Sequence, residues 1–100
     1  MVDYKKNLRA YLDREIAVIQ ELDLDSINVV MNVLEEAKAN HKTTYICGNG
    51  GSAATASHFV CDFNKGLNDE ASQFKFQCLS DNTPIMMAIS NDIGYEEVFR

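Results

Sequence analysis

Residues 43–66, "TTYICGNGGSAATASHFVCDFNKG", decide the fold. The opening "TTYIC" is β-branched and aromatic, with polar residues before it and glycines after it, which predicts a buried strand. Three of the chain's five glycines, Gly48, Gly50 and Gly51, then crowd into four positions. Ser52 opens what reads as a helix running to about Lys65, with Gly66 as a left-handed terminator. A strand that passes through bare backbone into a helix leaves unpaired N–H groups at the positive end of the helix dipole. That arrangement suits a phosphate or carboxylate, and Ser52 adds a hydroxyl. A tight turn that binds nothing is the competing reading.

Two familiar phosphate loops can be compared with it. The Walker type fails because no Lys follows the glycines. Gly48, Gly50 and Ala53 satisfy the permissive dinucleotide pattern GxGxxA. The acidic residue expected about 20 positions onward is poorly placed, however, with Asp62 inside the helix and Asp81 too far along.

From Thr43 to Cys61 there is no Asp, Glu, Lys or Arg. A helix exposed on one side normally carries charge there, so the strand, the loop and most of the helix are expected to be enclosed. His58 and Asp62, at i and i+4, share a helical face with Thr55. In a partly dry cleft such a carboxylate can serve as a general base, and the pair can share a metal ion. A His–Asp hydrogen bond that only stabilises the core is the alternative. Side chains that open onto bulk water, or that packed apolar groups wall off from the loop, would end the proposal of a site here.

Outward from this stretch, Tyr4, Leu8, Tyr11, Leu12, Ile16, Ile19 and Leu22 recur at helical spacing and mark a first helix. Asp25 or Ser26 is the expected N-cap of a second, whose stripe is Ile27, Val30, Met31, Leu34 and Ala37. His41 falls in the polar turn after it, exposed and without a role. Beyond the central helix, "FKFQCLS" reads as a second strand. In "DNTP", Thr83 is the expected N-cap and Pro84 the first helical residue of a short apolar helix. Gly94 turns the chain into one more helix, on which Tyr95, Glu96 and Glu97 read as a start and a solvated face. The order helix, helix, strand, helix, strand, helix predicts an α/β fold with a parallel sheet, divided into a helical hairpin (1–41) and a βαβα core (42–100). Two strands offer little sheet, so an incomplete domain, or one completed by partners, is expected.

The 100 residues carry a net charge of -6, which argues against nucleic acid and against anionic membranes, since either would need clustered Lys and Arg. No apolar run approaches the roughly 20 residues of a membrane span, and "MVDYKKNLRA" lacks a signal peptide's apolar core. Cys47, Cys61 and Cys78 have neither zinc-ribbon nor CxxC spacing and read as reduced, buried thiols of a cytoplasmic protein.

Taken together, "ICGNGGSAATASHFVCDF" and the later "LSDNTPIMMAISNDIGYEEVF" closely resemble the sugar isomerase (SIS) domain of the phosphoheptose isomerase group. The resemblance spans the chain, with two helices ahead of the glycine loop as in that group. It implies a three-layer αβα sandwich with a parallel sheet, of which this would be the N-terminal half. It also implies an aldose–ketose isomerase that converts sedoheptulose 7-phosphate to glycero-manno-heptose 7-phosphate through an enediol, or else a non-catalytic SIS module that binds a sugar phosphate or a protein for regulation. By the same resemblance Asn49, Gly50, Gly51 and Ser52 line the sugar-phosphate site. His58 matches a zinc-binding histidine, and Asp62 falls where the group usually carries a metal-binding, proton-transferring glutamate. Asn91 and Asp92 match a substrate-contacting pair, reached from a neighbouring subunit of a homotetramer held by its N-terminal helices, and the likeness also places Tyr95, Glu96 and Glu97 near a subunit contact. Asp62 is one methylene shorter than glutamate, and the serine-rich loop and late helix of the group's second half have no counterpart here.

Overall fold

The computed structural model describes residues 1–67 and 73–100. The chain separates into two compact units, Met1–Met31 and Asn32–Arg100.

In the first unit α1 (Lys5–Gln20) carries Leu8, Tyr11, Leu12, Ile16 and Ile19, all exposed, and none of its residues is buried. Helix α2 (Leu24–Ala39) also begins here. Its cap is Asp23, not Asp25 or Ser26: the Asp23 carboxylate accepts the Ser26 hydroxyl at 2.6 Å and the Ser26 amide at 3.1 Å. The geometry decides this, because a capping oxygen reaches the amide three residues ahead. The Ser26 hydroxyl, and then its amide, hold the Asp23 carboxyl below its ordinary value.

The end of α2 lies in the second unit and closes as a Schellman motif. The Lys42 amide reaches back to the Ala37 carbonyl at 2.8 Å and the His41 amide to that of Lys38 at 3.1 Å. His41 therefore occupies the left-handed position, at φ 54°, which favours glycine. His41→Gly is expected to stabilise the protein by about 1 kcal/mol, roughly 4–8 °C in Tm, in a thermal melt. An unchanged Tm would show that no strain is stored there.

A βαβ unit follows, made of β1 (Thr43–Ile46), α3 (Gly51–Cys61) and β2 (Lys75–Cys78). The strands pair in parallel with Thr44 opposite Phe76 and Ile46 opposite Cys78. These four point to the covered face, while Thr43, Tyr45, Lys75 and Gln77 lie on a bare one. The α/β class and the parallel pairing are as expected, but the buried first strand is not: Tyr45 is 60% exposed. Parallel strands are buried when helices cover both faces, and here one helix layer covers one face.

Helix α3 is two-sided. Ala53, Ala56, Phe59 and Val60 turn inward, whereas Ala54, Thr55 and His58 turn out. Phe63 continues the inner stripe, and its ring stacks on Phe59 and Phe76 at centroid distances of 4.6 and 4.3 Å and meets Phe74 edge-on at 4.9 Å. With the Lys38 ammonium 4.6 Å above the Phe74 ring, this phenylalanine cluster is the core of the unit.

The expected helix to Lys65 changes pitch instead. After Cys61 the chain makes a π-helical turn, Asp62–Gly66, and Gly66 does not take the left-handed conformation expected of it. The turn carries Asn64 to the outer edge of β2, where its side chain donates to the Phe76 carbonyl and accepts the Phe76 amide, both at 2.9 Å. The Leu79 amide bonds the Ile46 carbonyl at 2.9 Å, so odd-numbered residues of β2 face β1 and Phe76 faces away from it. Asn64 thus satisfies two edge groups that would otherwise lack partners. Asn64→Ala should cost roughly 2–4 kcal/mol in urea denaturation by orphaning both. A cost near zero would mean that water replaces the amide fully.

Helix α4 (Thr83–Asp92) is capped by Asn82, one residue before the expected Thr83, and its side chain accepts the Ile85 amide at 3.2 Å. Gly94, at φ 146°, then leads into a single 3₁₀ turn, Tyr95–Glu97, in place of a longer helix. The three cysteines are free thiols, but Cys47 and Cys61 are exposed and Cys78 half-buried, so none is the buried hydrophobe expected. Among the described residues no helix is long and apolar enough to cross a membrane.

Candidate functional site

Between β1 and α3 the glycines build a type II′ turn. Gly50 sits at φ 54°, ψ −122°, and the Ser52 amide donates to the Asn49 carbonyl at 2.9 Å. The conformation at Gly50 is one that L side chains rarely adopt. Gly48 is needed for a different reason: a Cβ there would lie 2.4 Å from the Ser52 carbonyl oxygen. The loop folds back that closely on the first turn of α3. The Ser52 and Ala53 amides are engaged by the carbonyls of Asn49 and Gly50. Among the described residues, the loop amides left without a backbone acceptor run from Cys47 to Gly51, those of Asn49, Gly50 and Gly51 lying at the turn itself.

Seven residues on from Gly51, His58 Nε2 stands 3.3 Å from Asp62 Oδ1. The spacing did place both on one face, together with Thr55. All three line a hollow of 430 Å³ with Ala54 and Phe59. The Thr55 hydroxyl is tied back to the Gly51 carbonyl at 3.1 Å. The expected enclosure is absent, for the His58 and Asp62 side chains are 76% and 66% exposed. The reason is angular, since each stands one residue before a phenylalanine, Phe59 or Phe63, that takes the sheet-facing position, and one step along the helix turns a side chain well away from its neighbour. The outward stripe of α3 in the charge-free stretch is accordingly an open face of small and polar residues.

His58 and Asp62 supply two donors, one short of the three protein ligands that hold a catalytic zinc. No group of three His, Cys, Asp or Glu converges among the described residues. The pair alone does not fit a zinc ion.

Asn91 and Asp92 end α4, where the Asn91 amide donates to the Asp92 carboxylate at 2.9 Å. Asn91 lines a separate hollow of 400 Å³ with Met86, Met87 and Ser90. The residue of this segment that reaches the loop is Tyr95, whose hydroxyl donates to the Asn49 side-chain carbonyl across 46 positions of sequence. Sequence reasoning assigned Tyr95 to a solvated helix start. The usable signal was Gly94, which breaks the helix and swings out the ring that follows.

A phosphoheptose isomerase of Helicobacter pylori (strain Shi470) is 36% identical over 88 residues, 88% of this chain and 44% of the relative. That of Geotalea uraniireducens (strain Rf4) is 33% identical over 96 residues, 93% of this chain and 51% of the relative. The solved phosphoheptose isomerase of Neisseria gonorrhoeae superposes with a TM-score of 0.76 at 28% identity, covering 97% of this chain and 51% of that one. The chain is a homologue of the phosphoheptose isomerases. No protein-family model matches it. It spans about half the length of the curated phosphoheptose isomerases it matches. Against those relatives, the two-strand core with its glycine turn is an SIS-type α/β arrangement. An imidazole and a carboxylate at this separation can pass a proton between neighbouring oxygens or carbons of a bound polyol.

Proposed function

We propose that the protein is an aldose–ketose isomerase that interconverts sedoheptulose 7-phosphate and an aldoheptose 7-phosphate. The observation that carries this reading is the homology to phosphoheptose isomerases over nearly the whole chain, with an imidazole–carboxylate pair on the helix that the glycine turn opens. From Ser52 to His58 the helix rises about 9 Å at 1.5 Å per residue. That suits an extended seven-carbon sugar whose phosphate end lies on the Asn49, Gly50 and Gly51 amides while the other end meets the pair. Asp62 takes the proton from one carbon and returns it to its neighbour. His58 donates a proton to the carbonyl oxygen on which charge develops and takes one back from the neighbouring hydroxyl as the new carbonyl forms, which stabilises the enediol between the two steps.

The exposure of the pair sets a condition. A general base gains from a water-poor site, so the face must be closed over by further chain or by another copy when substrate is bound. The apolar stripe of α1, exposed along Leu8, Leu12, Ile16 and Ile19, supports self-association through the N-terminal helices. A zinc ion would need at least one more ligand from outside the described residues.

The same openness, with the short Asp62 side chain, favours a second reading, a regulatory SIS module that binds a sugar phosphate without converting it. Incubating the full-length protein with sedoheptulose 7-phosphate and following the aldoheptose phosphate decides between the two. Turnover supports the isomerase, saturable binding without product supports the module, and neither binding nor product ends both.

A further inference from the structure

We infer that Tyr95 is a positioning residue for the glycine loop: its hydroxyl fixes the Asn49 side chain, and with it the Asn49–Ser52 turn, in the form that receives the sugar phosphate. This rests on the reading of the loop as a sugar-phosphate site.

The Asn49 backbone carbonyl already closes the turn by accepting the Ser52 amide, which leaves the side chain as the handle by which the rest of the fold can hold the loop. Tyr95 takes that handle from a segment 46 positions away. The tyrosine is itself held on both sides. Before it, Gly94 adopts φ 146°, ψ 149°, where a Cβ would also meet the Glu96 carboxylate at 2.7 Å. After it, the Phe99 ring meets the Tyr95 ring edge-on at a centroid distance of 6.5 Å. The Val98 amide closes the 3₁₀ turn on the Tyr95 carbonyl at 3.1 Å.

The direction of the bond matters chemically. A phenol O–H given to Asn49 Oδ1 fixes which end of the amide is which and leaves Nδ2 as the end free to donate. Donors are what phosphate and hydroxyl oxygens require. Without the hydroxyl the amide can rotate and turn its carbonyl toward an anion, and the turn loses its link to the 3₁₀ segment.

Tyr95→Phe keeps the ring and its contact with Phe99 and removes only the hydroxyl. In the ligand-free full-length protein, hydrogen exchange at the Ser52 and Ala53 amides, which the carbonyls of Asn49 and Gly50 hold in the turn, should quicken about fivefold with a Tm loss of no more than about 8 °C, since one exposed neutral hydrogen bond is lost. The Kd for sedoheptulose 7-phosphate should rise about five- to tenfold with little change in kcat. In an Asn49→Ala background the same substitution should have no further effect on Kd, because a residue that acts through another is silent once that other is gone. Unchanged exchange overturns the tether. Faster exchange with unaltered Kd, in a protein whose wild type binds the sugar phosphate, overturns its part in binding. A Kd effect that persists without Asn49 shows that Tyr95 acts elsewhere. If the wild type binds no sugar phosphate while exchange still quickens, the sugar-phosphate reading falls, the ligand half of the inference falls with it, and the tether stands.

Discussion

Asp62→Asn should lower the turnover of sedoheptulose 7-phosphate by roughly a hundred- to ten-thousandfold, the range in which a positioned general base contributes. Asparagine keeps the size of the side chain and can still meet His58, 3.3 Å away in the native pair, but it cannot take up the proton. Stability should move by no more than about 0.5 kcal/mol, because the side chain is 66% exposed and holds nothing in the core. The loss should therefore fall on kcat, with the melt unchanged and the Kd for the sugar phosphate close to that of the native protein. Asp62→Glu keeps the charge and adds a methylene, and should retain far more activity than the amide. Equal turnover by the native protein and Asp62→Asn would remove Asp62 from the chemistry and pass the proton to another group.

Gly48→Ala is the second large effect, and it acts through the backbone. The added Cβ would come within 2.4 Å of the Ser52 carbonyl oxygen and 2.9 Å of the Ala53 nitrogen. Both are backbone atoms of the first turn of α3, so no side chain can swing aside to relieve the clash. Either the loop lifts from the helix or the first helical turn opens. The expected cost is roughly 2–3 kcal/mol in chemical denaturation, in the range for forcing atoms into a close-packed place. Sugar-phosphate affinity should fall with it, since the Asn49, Gly50 and Gly51 amides move. Gly51→Ala is the matched comparison, for its Cβ would meet nothing within 4 Å, and its stability should stay within about 0.5 kcal/mol of the native protein. Equal stability of the two variants would show that the close approach at Gly48 is relieved without cost.

The position of the His58–Asp62 pair was legible in the sequence, and its surroundings were not. His58 and Asp62 were found from spacing alone, because a helix puts i and i+4 on one side whatever surrounds it. Their environment was misread. The absence of charge from Thr43 to Cys61 predicts burial, whereas the outer stripe of α3 is exposed and merely small or polar. Composition reports what a face would tolerate against it, not whether anything lies there. The caps show a finer limit: Asp23 and Asn82 displaced the neighbours expected, since several polar residues in a row can each serve and only the entering backbone chooses.

The order of strand, glycine turn, helix and strand, the parallel α/β class and the shared face of His58 and Asp62 were all determined by the sequence. Each follows from steric and periodic rules that act within a few residues. Tertiary structure alone decided that Asn64 closes the β2 edge, that Tyr95 holds Asn49, and that the paired side chains stand in water. Such facts depend on which distant surfaces come together, and a lone amide or hydroxyl carries no periodic mark of the partner it will meet.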